Sequence, residues 1–133
     1  MPTLFTKIIT GEIPSARLYE DDDFYSFLDI RPIHQGHALL IPKREIDYIF
    51  DLPDDLLQKM LTTARPIARA IEEHIPCEKV GLIVAGLEVP HCHLHLVPIH
   101  AVSDLDFSKA QAADPDDLQA LAARIRETLS QRN

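Results

Sequence analysis

The sequence predicts an α+β fold built on a five-stranded antiparallel sheet. Three observations carry this. The periodic segments run helix, three strands, helix, two strands, helix. Most breaks between strands hold only a few turn-forming residues, which points to hairpin-type links. Only two helices are long, so the alternating crossover helices that a doubly wound parallel sheet needs are missing.

Each element has a local reason. Leu4, Phe5, Ile8 and Ile9 recur at helical spacing over 4–10, with Thr3 as cap, Gly11 as stop and Pro14 as a break. Residues 16–19 and 24–30 read as two strands, and Asp21-Asp22-Asp23 forms the turn between them. Arg31 to Gly36 is a connection, followed by an apolar strand over 37–41 that Pro42 stops. Asp51, Pro53 and two further acids open a long helix with Asp51 as its cap. Its apolar stripe runs from Leu56 through Met60, Ala64 and Ile67 to Ile71, and Pro66 predicts a kink or break inside it. Two further strands follow over 80–85 and 91–99, with Gly86 at the turn between them. After an irregular polar stretch over 101–114, Asp114 caps a final helix with Pro115 in its first turn. Leu118, Leu121, Ala122, Ile125 and Leu129 make one apolar face of it.

At 133 residues the chain is expected to form one domain, with its core over 4–100 and a C-terminal extension and helix over 101–133. The net charge of −8 argues against nucleic acid or an anionic membrane surface as partner, since both need a basic face. A small anionic ligand stays open, because a few local donors outvote a net charge. Cys77 and Cys92 form no disulfide framework and read as free thiols. With no charged leader and no membrane-length apolar run, the expected setting is cytoplasmic.

The chemistry is concentrated in one strand, His91-Cys92-His93-Leu94-His95-Leu96-Val97-Pro98. Side chains alternate along a strand, so His91, His93 and His95 share one face while Cys92, Leu94 and Leu96 form an apolar back. Three buried imidazoles in a row are poor packing, because every enclosed ring nitrogen needs a partner. Two chemistries want such a row. One is a metal site, but small metal-binding barrels add a carboxylate soon after, and residues 94–97 offer none. The other is nucleophilic attack by a neutral imidazole on phosphorus, with its neighbours handling phosphate oxygens and protons. The second is favoured.

The same strand carries a resemblance. His91-x-His93-x-His95 followed by Leu96-Val97 resembles the signature of the histidine-triad (HIT) nucleotide-binding family. Further matches lie in order over about 4–100: Leu4-Phe5-x-Lys7-Ile8-Ile9-x-Gly11-Glu12-Ile13-Pro14, Phe27-Leu28-Asp29-Ile30-x-Pro32, Gly36-His37-x-Leu39-x-Ile41-Pro42-Lys43, and Gly86-x-x-Val89-Pro90. Asp104-x-Asp106-Phe107 resembles some bacterial members.

The resemblance implies a hydrolase or transferase acting at an α-phosphorus. His93 attacks to form a covalent nucleotidyl-histidine, His91 orients it, His95 meets the phosphate or leaving group, and His37 joins as a fourth histidine. Asp29 is matched to the acceptor for the ribose hydroxyls, and Leu4, Phe5, Ile8, Phe27 and Ile30 to the apolar slot for the base. Glu88 and Val89 fall at the phosphate-binding turn. The expected ligand is a purine nucleotide or nucleotide conjugate, the expected reaction hydrolysis of a nucleoside 5′-phosphoramidate, and the expected assembly a homodimer. A dinucleoside polyphosphate hydrolase and a weakly catalytic nucleotide binder are the alternatives.

The chain also departs from the family. Many members carry a Cys-x-x-Cys near the start for structural zinc, where this chain has Thr3 and Thr6, so no metal or other cofactor is expected. The stretch Val84 to Pro90 is shortened by about four residues, with Leu87 in place of a Gln and Glu88 in place of a small hydroxyl residue.

Overall fold

The computed structural model describes residues 2–131. Five strands, β1 (Ala16–Glu20), β2 (Phe24–Leu28), β3 (Ala38–Pro42), β4 (Lys79–Ile83) and β5 (Leu94–Ile99), pair antiparallel in the order β1-β2-β3-β5-β4. Three helices flank them: α1 (Leu4–Ile9), α2 (Asp54–His74) and α3 (Pro115–Gln131). None of the described helices is long and apolar enough to cross a membrane.

The β1–β2 hairpin is closed by Asp21, whose Oδ1 accepts the backbone N–H groups of Asp23 (2.8 Å) and Phe24 (2.7 Å). Because β3 and β4 both run antiparallel to β5, they run parallel to each other, and α2 is the crossover between them. The chain thus enters β4 at the sheet edge and returns through β5 to fill the gap beside β3. Short links alone do not reveal this insertion.

Two apolar layers cover the two faces. On one, Leu18, Phe24, Leu28, Ala38, Leu40, Cys92, Leu94 and Leu96 pack against Leu56, Met60, Ile67 and Ile71 of α2 and Leu121, Ala122 and Ile125 of α3. On the other, Phe5 and Ile8 of α1 pack against Tyr25, Phe27, Leu39 and Ile41. Residues 101–113, with 3-10 turns at Val102–Asp104 and Phe107–Lys109, strap the sheet's end and hold residues 30–32 through Gln111 N–H to Pro32 O and Ala113 N–H to Ile30 O.

Thr3 caps α1, its hydroxyl accepting from Thr6 N–H, and Asp114 caps α3 through the N–H groups of Asp116 and Asp117. Three local expectations are corrected. Asp51 does not cap α2: it ends a 3-10 turn, and Pro53 holds the cap position without a side-chain bond. Of the kink or break expected at Pro66, the break does not occur: α2 runs unbroken over 21 residues. The lost i→i−4 bond is outweighed because Ala64 before Pro66 and Ile67 and Ile71 after it are buried in one core. The last strand starts at Leu94 rather than at His91, because the backbone of 91–92 bonds elsewhere: His91 N–H to Val89 O and Cys92 N–H to Ile46 O.

Candidate active site

His91, His93, His95 and His37 are all buried. The alternation predicted for 91–96 holds: Cys92, Leu94 and Leu96 sit in the α2/α3 core, while the three histidines face the α1 side. Across the sheet, Phe27, Leu39 and His95 stand in register on neighbouring strands. Phe5 joins the layer to the triad, with its ring centroid 4.9 Å from that of His93 and 5.8 Å from that of His91.

The hydrogen bonds fix which nitrogens carry protons. His91 Nε2 lies 2.7 Å from Pro42 O, and His93 Nδ1 lies 2.7 Å from His91 O. A carbonyl only accepts, so His91 Nε2 and His93 Nδ1 both donate. In a neutral His93 the lone pair is therefore on Nε2, which has no hydrogen-bond partner among the described residues. On the other side of the site, His37 Nδ1 accepts the N–H of Ile33 at 3.0 Å. Neutral His37 must then carry its proton on Nε2 and donate it to His95 Nδ1, 2.9 Å away. His95 is left with a protonated Nε2. An acceptor on His93 thus stands beside a donor on His95, with ring centroids 5.1 Å apart.

Burial favours the neutral form of His95, His37 and His91. It pushes His95 down to about 3, helped by neighbouring His37 and His93. Burial also lowers His37, against the pull of Asp29, whose Oδ2 is 3.6 Å from His37 Nε2. His91 is lowered by burial too, opposed by its bond to Pro42 O and by Glu45.

The other expected residues fall around this centre. Asp29 follows β2 and is half-buried, its Oδ1 accepting Arg31 N–H. Phe5, Ile8 and Phe27 share one buried layer, with Val89 packed against it. Leu4 is 47% and Ile30 68% exposed, so these two are available only as a rim. Glu88 is exposed on the turn that follows Gly86. Among the described residues, Asp29, His37 and His95 bring three potential metal-ligand atoms within 4.8 Å of one another, but an ion there would have to displace the His37–His95 hydrogen bond. A cleft of about 500 Å³ between 32–37 and the strap touches the site only through His37.

Sequence reasoning missed three neighbours. Phe107, from the strap, sets its ring centroid 4.9 Å from that of His95. An aromatic residue isolated in a polar stretch, one position after the Asp106 cap, was the available signal. Thr3 reaches His91 Nδ1 at 2.7 Å, and Glu45 accepts from Thr3 and Thr6. Neither contact has a local signature, since 88 residues separate Thr3 from His91 and 42 separate Thr3 from Glu45.

The family profile described as HIT domain matches residues 10–102. "Protein hit" of Bacillus subtilis is 37% identical, covering 96% of this chain and 94% of that protein. "Adenosine 5'-monophosphoramidase HNT1" of Candida albicans is 36% identical, covering 96% of this chain and 91% of that one. The crystal structure of a zinc-bound histidine triad family protein from Mycobacterium smegmatis superposes with a TM-score of 0.81 at 32% identity, over 97% of this chain and 94% of that chain. The residues at positions 3 and 6 do not fit a structural zinc. Their hydroxyls keep their protons and are hard, weak donors where zinc takes thiolate or imidazole, and Thr3 is already bonded to His91 Nδ1.

Proposed function

Because the chain belongs to the HIT domain family, we propose that it hydrolyses nucleotide conjugates at the α-phosphorus, with nucleoside 5′-phosphoramidates as the preferred class. The observation that carries the reading is the protonation pattern, a free His93 Nε2 lone pair beside the His95 Nε2–H donor. In the proposed first step His93 Nε2 attacks phosphorus, the phosphorus–nitrogen bond to the leaving group breaks, and a proton passes to the departing amine from the His95 side. In the second step water attacks phosphorus and its proton returns to the His95 side, the bond from phosphorus to His93 Nε2 breaks, and nucleoside monophosphate leaves with both rings restored. His95 is held neutral, so its Nε2–H offers the leaving group a hydrogen bond, and any proton it passes on must be returned to the ring within the cycle. His37 holds His95 in that tautomer. Asp29 takes the ribose hydroxyls, the Phe5–Ile8–Phe27 layer with Leu4 and Ile30 at its margins takes a purine base, and the Glu88–Val89 turn borders the phosphate. The Candida albicans relative's phosphoramidase name supports this substrate class.

The reading includes a cytoplasmic homodimer. Cys77 and Cys92 are both free, as expected in a reducing compartment. The edge strand β4 exposes Leu82 beside Leu61 and Val84, around an apolar cleft of about 400 Å³ that also touches Ile49, Leu57 and Met60. An exposed apolar edge of this kind is what a symmetric pairing covers. Light scattering should give twice the chain mass, and Leu82→Asp should halve it.

The test of activity is turnover of adenosine 5′-phosphoramidate and of a dinucleoside polyphosphate, side by side, with and without chelator. Chelator-resistant release of AMP, faster from the phosphoramidate and abolished in His93→Ala, is the expected result. AMP binding without turnover of either compound would overturn the reading in favour of a binding protein.

A further inference from the structure

The reaction as described leaves Thr3, Thr6 and Glu45 without a role, yet they form a connected hydrogen-bond chain that ends on the triad. His91 is fully buried, and the Pro42 carbonyl takes its Nε2 proton. The Nδ1 lone pair of neutral His91 must therefore meet a donor, and the group there is the Thr3 hydroxyl at 2.7 Å. Thr3 Oγ1 in turn accepts the Thr6 N–H at 3.1 Å. With the Thr3 proton directed to His91, the Thr6 hydroxyl donates to Glu45 Oε1, which also accepts the Thr3 N–H at 2.6 Å. Those two donors hold the Glu45 carboxyl below its usual range, Thr6 contributing most. The chain thus joins the first turn of α1, the link after β3 and the lead-in to β5, at the residue whose carbonyl holds His93 Nδ1.

We propose that Glu45, Thr6 and Thr3 are positioning residues: a metal-free hydrogen-bonded clamp that fixes the His91 ring and, through the His91 carbonyl, the tautomer of His93. The proposal occupies the positions where zinc does not fit. It rests on the hydrolase reading for its effect on rate but not for its effect on tautomers. The three bond to one another, and Thr3 to His91, rather than to a group assigned to the substrate. They act by holding another group, and small misplacements of that kind cost rate more than binding.

Two measurements on the full chain decide it. Two-bond proton–nitrogen NMR spectra of the imidazoles, recorded without substrate, read the tautomers of His91 and His93. Wild type is expected to show Nε2–H for His91 and Nδ1–H for His93. Thr3→Val, which keeps shape and removes the hydroxyl, is expected to mix the His93 tautomers. It should lower kcat by about 10- to 100-fold and move KM by less than about threefold. Thr3→Ser, which returns the hydroxyl, should restore both readings, and Glu45→Gln should be milder than Glu45→Ala. A pure His93 Nδ1–H tautomer in Thr3→Val would overturn the proposal. So would stoichiometric zinc bound by wild type and lost in Thr3→Val. If wild type turns over no nucleotide, the hydrolase reading fails while the spectra still decide the clamp.

Discussion

His93 donates from Nδ1 to the backbone carbonyl of His91, two residues earlier, across 2.7 Å. The contact is local in sequence, but the backbone around it is held by distant partners: Cys92 N–H on Ile46 O and the His91 ring on Pro42 O. The tautomer of His93 is thus fixed by the way 91–93 leaves the regular strand. His93→Ala is expected to lower turnover by at least about 10³-fold while thermal unfolding stays within a few degrees of wild type. Rapid-quench labelling with radioactive nucleotide should trap a covalent adduct in wild type and none in the variant.

In the proposed reaction His37 acts through His95, over the 2.9 Å bond between their rings. His37→Ala removes the group that fixes His95 as an Nε2–H donor. A loss of about 10- to 100-fold in kcat follows, larger for amine leaving groups than for pyrophosphate-type ones, which need no proton. Equal losses for both leaving groups in steady-state assays would remove His95 from the protonation step.

Folding should weaken as pH falls below the ordinary histidine range. His37, His91 and His95 are lowered by burial, so between their folded values and about 6.5 the unfolded chain binds more protons than the folded one. Their contribution is complete above about pH 6.5 and is lost as pH drops toward the folded values, about 3 for His95. From pH 7 to 5 each histidine that stays neutral costs about 2 kcal/mol of stability. Urea melts across that range should show the slope, and His95→Asn should reduce it.

Asp29 offers a half-buried carboxylate at the end of β2, on the same side as His37. Asp29→Ala is expected to raise KM for ribonucleotide substrates about tenfold, the value of one or two charged hydrogen bonds. Wild type should discriminate against the 2′-deoxy substrate by a similar factor, and the variant should not. Discrimination that survives in the variant would place the ribose elsewhere.

Pro66 breaks an i→i−4 bond in the middle of α2 and contributes no cap or turn. Pro66→Ala should raise stability by about 1–2 kcal/mol, the helix-interior penalty less the entropy that proline removes from the unfolded chain. Chemical denaturation measures it directly.

What was legible in the sequence was what periodicity and local stereochemistry encode. The period-two spacing of His91, His93 and His95 against Cys92, Leu94 and Leu96 predicted correctly which side each of residues 91–96 faces, although the regular strand begins only at Leu94. Asp114, Thr3 and the Asp21 turn were readable because a cap or turn bonds its own near neighbours. Of the kink or break expected at Pro66, the break failed because α2 packs on one shared core, and the cap expected at Asp51 failed because that residue ends a 3-10 turn ahead of Pro53.

The sequence by itself determined the α+β class, the strands and helices within a few residues, and the row of histidines on which the proposed chemistry rests. These follow from short-range periodicity and from residue types that one packed core cannot absorb without function. Only the tertiary structure decided that β5 lies between β3 and β4, that Thr3 and Glu45 reach His91, that Phe107 closes over His95, and which nitrogen of each imidazole holds the proton. The physical reason is that hydrogen-bond direction and ring contacts depend on groups tens of residues apart. Their meeting is set by how the whole sheet closes, and no local pattern records it.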